Sequence, residues 1–148
     1  MGRTVVALWR TETRAEAVAE LATLLAAHAA EFGSVGLLQV IGDLALPPDA
    51  AARTALANML KVNETRIAAS AVVYEGAGFR ASVIRSVVIG ISMLSRPKCP
   101  HTVFASTKAG IEWLCSHEPL SDGSPHRAHS SMQLAIDRLR GPAQPVST

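Results

Sequence analysis

With 148 residues the chain can bury one core without disulfides, and its length suggests a single domain. Hydrophobic residues make up 49% but aromatics only 4%, so the core must be built mostly from Ala, Val, Leu and Ile. A net charge of +2, with basic residues scattered and forming no stripe, gives no argument for nucleic acid as a partner.

The first strand is predicted at Thr4–Trp9 (TVVALW). Thr13 then reads as an N-cap, and Glu16 three residues on completes a capping box. The helix that follows carries Val18, Leu21, Leu25 and Phe32 on one stripe, with Gly33 as its stop. His28 lies on the same stripe and reads as a packed or partly exposed histidine, because no second ligand is near it in sequence. Val35–Ile41 (VGLLQVI) is the second strand. After Gly42 and Asp43, Pro47 and Pro48 suit the approach to a helix. Asp49 supplies a favourable negative charge to its first turn. Ala52, Leu56, Met59 and Leu60 form the inner face of this second helix, which should end near Lys61.

Ile67–Tyr74 (IAASAVVY) is a run of small and β-branched residues without alternation, as expected of a strand buried on both faces of a parallel sheet. Gly76 and Gly78 give the permissive backbone that a tight strand-to-helix turn needs. From 79 to 94 the apolar residues Phe79, Val83, Val87, Ile91 and Leu94 recur at helical spacing, Arg96 complements the dipole at the end, and Pro97 stops the helix. This run falls short of the roughly 20 residues that span a bilayer. It is therefore expected to be a buried core helix, with Gly90 at a close helix–sheet contact. Gly76, Gly78 and Ala81 match a loose G-x-G-x-x-A phosphate pattern. The pattern sits on the third strand and lacks the acidic residue at the tip of the next, so a plain tight turn is the reading.

A fourth strand is predicted over 101–106, a short helix over Thr107–His117, a loop over 119–129 and a last amphipathic helix over 130–140. Residues 141–148 (GPAQPVST) read as a disordered tail. The order β-α-β-α-β-α-β-α-α predicts one α/β domain over 1–140, with a mainly parallel four-stranded sheet flanked by helices. The opening MGRTVVALWRTE lacks a signal-peptide core, and the expectation is a cytoplasmic protein with two reduced cysteines.

Both cysteines and four of the five histidines fall between 99 and 129. If the fourth strand and the next helix run antiparallel, Cys99 and His101 should share one edge with Cys115 and His117, near Glu118, His126 and His129. Two Cys and two His suit tetrahedral zinc, although the C-x-H spacing differs from the common C-x₂₋₄-C. The same residues could form a Cys/His nucleophile pair, but nothing in the sequence orients a base. Surface histidines and semi-buried thiols are the plainer reading. The G-x-S-x-G nucleophile elbow is absent, and no enzyme is predicted.

Val103-Phe104 followed by a helix with Ala109, Ile111, Glu112, Trp113 and Leu114, together with the AVVYEGAGFR turn before a long apolar helix, resembles the SpoIIAA-like (STAS-like) family of anti-sigma-factor antagonists. The resemblance covers about 4–114 and implies a regulatory or protein-binding module of a bacterial cytoplasm. It departs from the family at the stretch Gly42 to Asp49, where classical members carry a phosphorylatable serine. Here there is no serine or threonine before Thr54.

Open α/β sheets place ligands beyond the carboxyl ends of their strands. The expected binding surface is therefore Asp43, Asp49 and Arg53 at the second helix, with Glu75, Gly76, Gly78 and Arg80 at the central turn. Another protein is the expected partner, with a homodimer as a further possibility. The alternatives are a carrier of a small apolar ligand or lipid, suggested by the apolar central helix, and a Cys/His metal-binding protein.

Overall fold

The computed structural model describes residues 3–117 and 125–142. Four strands, β1 (Thr4–Trp9), β2 (Val35–Ile41), β3 (Ile67–Tyr74) and β4 (His101–Phe104), form one sheet in the order β1-β2-β3-β4. Every pairing is parallel. The helices are α1 (Ala15–Phe32), α2 (Ala50–Val62), α3 (Gly78–Ser95), α4 (Thr107–His117) and α5 (Pro125–Arg140). The predicted α/β class and element order hold. The 118–124 stretch and the expected tail over 143–148 lie outside the described residues.

The sheet order determines the layers. Each βαβ unit steps one strand in the same direction, so right-handed crossovers bring α1, α2 and α3 to one face. Val5, Leu37 and Ile67 pack there against Val18, Leu21, Leu25, Leu56, Leu60 and Ile91. On the opposite face α4 and α5 bring Ile111, Leu114, Met132 and Ile136 against Leu38, Val40, Ala71 and Val73. With both faces covered, β2 and β3 need apolar side chains in both directions, which is why neither alternates. Gly110 lets α4 approach β3 closely, since a Cβ there would stand 2.6 Å from Val73 Cγ2.

Several local expectations need correction. Thr13 does not cap α1; the N-cap is Arg14, without a side-chain hydrogen bond. Asp49 caps α2 by accepting from Ala52 N at 2.8 Å. β4 stops at Phe104, two residues early, because Ser106 turns to α4 and its Oγ accepts from Ala109 N at 3.2 Å. α5 begins at Pro125, a residue well suited to a first helical turn, so His126 and His129 lie on a helix rather than in a loop.

α3 differs most. Only Ala81, Ile84, Ile91 and Ser95 are buried, while Phe79 is 86% and Leu94 72% exposed. The helix lies at the sheet edge beside a four-residue strand, which covers one side of it only. By length and composition it would also suffice to cross a membrane, with 22% of it buried. A Cβ on Gly90 would meet nothing within 4 Å, so the expected close helix–sheet contact is not there.

Candidate functional site

The carboxyl ends of β1, β2 and β3 open into a crevice of about 680 Å³. Arg10 enters it from the end of β1, Asp43 and Leu44 from the loop after β2, Glu75 from the end of β3 and Arg140 from the end of α5. Glu75 is the most firmly held of these. Its Oε1 accepts from Thr107 N at 3.0 Å and from Thr107 Oγ1 at 2.5 Å, which also caps the start of α4. Its Oε2 accepts from Arg140 Nη2 at 3.3 Å. The Thr107 hydroxyl is the main cause that lowers the Glu75 pKa from 4.5. Partial burial opposes it, and the Thr107 amide and Arg140 add to the lowering. Glu75 is thus a fixed anion joining β3, α4 and α5.

The loop after β2 is equally fixed, through its backbone. Gly42 N donates to Trp9 O at 2.8 Å, Ala45 N to Gly42 O at 3.0 Å and Leu46 N to Thr11 O at 2.6 Å. Arg80 then reaches back from α3, its Nη2 donating to Leu44 O at 3.3 Å and Ala45 O at 3.0 Å. Carbonyls that would otherwise need water are satisfied, and the loop holds Leu44 and Leu46 outward, 69% and 52% exposed.

Of the expected surface, Asp43 and Glu75 both line the crevice, and Arg80 braces the loop that carries Asp43. Asp49 is occupied as a helix cap, and Arg53 is exposed on α2 outside the crevice lining. Gly76 and Gly78 shape the turn: a Cβ on Gly76 would overlap the Tyr74 ring, and Gly78 has φ +74°. Sequence reasoning missed Arg10, Thr107 and Arg140. Arg10 directly follows a strand, which is a usable signal. Arg140 stands 65 residues from Glu75, and nothing local marks their meeting.

The Cys/His residues do not assemble as expected. Cys99 packs against the core under α1–α3, whereas Cys115 packs on the α4–α5 side, because α4 crosses beneath the sheet. His101 Nε2 and Ser92 Oγ are 2.8 Å apart, and His117 stacks on Trp113 with ring centroids at 4.2 Å. Among the described residues no group of three His, Cys, Asp or Glu side chains could hold a metal ion; Glu118 lies outside them. Burial raises the Cys99 pKa above 9.0, which keeps the thiol protonated and unsuited to nucleophilic attack.

A second, smaller cavity of about 50 Å³ lies between α3 and the sheet, walled by Trp9, Leu56, Leu60, Val72 and Ile84. Its polar side carries Gln39, whose Oε1 accepts from Trp9 Nε1 at 3.0 Å, and His101, whose pKa burial lowers from 6.5. Comparison with protein families, curated proteins and solved structures finds no match to this chain.

Proposed function

We propose that this domain is a non-enzymatic regulatory module that binds another protein at the carboxyl end of its sheet. The observation that carries the reading is the braced loop after β2. Two large leucines are held in solvent by a backbone with its hydrogen bonds made, beside a crevice of both charge signs. Exposed apolar side chains rimmed by polar groups mark interaction sites, and on a braced loop little ordering entropy remains to be lost on binding. The resemblance of 4–114 to the STAS-like family supports the same role. The missing serine argues that partner exchange is not switched by phosphorylation at that loop.

The test is affinity capture from the native cells with the wild-type chain and Leu44→Asp as paired baits, followed by titration of the captured protein. Burying a leucine contributes about 1.5–3 kcal/mol, so Leu44→Asp should weaken binding at least about ten-fold. Equal recovery of every protein on both baits would refute the proposal.

The cavity beneath α3, at about 50 Å³, is well below the about 150 Å³ of an apolar cavity that holds benzene, so it lends no support to the alternative of a carried apolar ligand or lipid. Organic extraction of protein purified gently from its own cells should give an empty extract.

A further inference from the structure

We infer that α3 is the contact face of a two-fold homodimer, packing antiparallel on α3 of a second copy with Ser86 at the axis. The outer side of α3 carries Phe79, Ser86 and Met93 at intervals of seven, with Ser82, Val83, Ile89 and Gly90 between them. This is the spacing of a helix-pairing seam. Among these residues Phe79, Ser82, Ser86, Ile89 and Met93 are exposed, and Val83 and Gly90 are half-buried.

The residues are matched about one point. Phe79 and Met93 stand seven residues on either side of Ser86, Ser82 and Gly90 four, and Val83 and Ile89 three. An antiparallel two-fold through Ser86 therefore sets an aromatic ring against a thioether, a small residue against a small residue, and a branched apolar side chain against another. Such self-complementarity is what an isologous interface demands, and an unrelated partner would have no reason to match it.

Charge and hydrogen bonding agree with this occupant. None of the seven residues is charged, and Arg80 turns away to the carbonyls of Leu44 and Ala45. The Ser86 hydroxyl already donates to Ser82 O at 2.9 Å, so burying it leaves no donor unmet. A Cβ on Gly90 would meet nothing within 4 Å, which leaves room for a neighbouring helix. The polar middle of the stripe also argues against a bilayer, which would favour an apolar one.

The exposed apolar area, counting the flanking Leu94, supplies part of what a dimer needs. Phe79, Ile89, Met93 and Leu94 are 86%, 54%, 72% and 72% exposed. Together they offer roughly 500 Å² of the about 800 Å² per partner in a standard interface. β4 lies beside α3 at the sheet edge, with its outer side unpaired among the described residues. The groove between them, bounded by Ile89, Met93, Thr102 and Val103, continues the face.

The experiment is sedimentation velocity on the full chain at micromolar concentration, with Ser86→Arg and Ser86→Cys. Wild type should sediment at twice the 15.6 kDa chain mass. Ser86→Arg should sediment at the single-chain mass with an unchanged circular dichroism spectrum, because residue 86 is exposed in the monomer. A position on the axis faces its own copy, so Ser86→Cys should oxidise to a covalent dimer, whereas wild type and Ser82→Cys should not. A wild type that stays monomeric, including one that instead co-sediments with anionic vesicles, overturns the inference. So does a dimer that Ser86→Arg leaves intact.

Discussion

Glu75 shows how much one side chain can join. Thr107 and Arg140, which reach it from two helices, both favour its charged form, and so does folding. Its folded pKa lies below 4.5, so the unfolded chain binds the proton more readily. The stability it contributes is fully present above pH 4.5 and is lost as pH falls through the lower, folded value. Thr107→Val removes the main cause of the shift. The urea midpoint of that variant should differ from wild type above pH 4.5 and converge on it in more acidic buffer. A difference that stays constant with pH would show that Glu75 is not responsible. Gly110 makes a steric point at the same scale. Gly110→Ala places a methyl against Val73 Cγ2, costing about 1–3 kcal/mol by overpacking. The better helix propensity of Ala returns up to about 1 kcal/mol. A net loss should appear as a lower urea midpoint, and an unchanged midpoint would mean that α4 moves off β3 freely.

Among the elements, β2 and β3 were most legible because each is a short apolar run with a glycine or acidic residue after it, and burial on two faces leaves little other choice. The edge strand β4, with no buried residue, reads two residues too long. Helix ends were less legible. Thr13 and Asp49 both have capping chemistry, yet only Asp49 uses it. Asp49→Ala should cost about 1 kcal/mol in chemical denaturation, whereas Thr13→Ala should show no capping loss; equal losses would contradict the assigned caps. α3 was misread for a physical reason. When apolar residues surround a helix, periodicity shows that it is a helix but not which side the fold covers. The covered side follows from β4 being short and at the edge, which is a tertiary fact. The crevice divides the same way: Asp43 and Glu75 stand at strand ends and could be found from topology, while Arg140 arrives from the far end of the chain. Cys99 and Cys115 were misplaced because sequence proximity does not reveal that the sheet separates them.

For the whole molecule, the proposed partner site and the proposed dimer face share no residue, although Arg80, beside Phe79, ties α3 to the β2 loop. The leucines of the β2 loop stand over the carboxyl end of the sheet, and the Ser86 stripe runs along its β4 side. Leu44→Asp should therefore leave the sedimentation of the chain unchanged while it weakens partner capture, and Ser86→Arg should halve the mass. A Leu44→Asp protein of reduced mass would show that the two faces overlap.

The sheet order also bears on how the chain is made. Strand follows strand in the direction of synthesis, so each new βαβ unit can settle on the last one as it leaves the ribosome. The lower side of the sheet is the exception. Val6 and Leu8 belong to the core that Met132 and Ile136 of α5 complete. Those two helical residues belong to α5, which follows all four strands in sequence. The nascent domain thus shows an open apolar floor until α5 has emerged, and the docking of Met132 and Ile136 is the step that closes it.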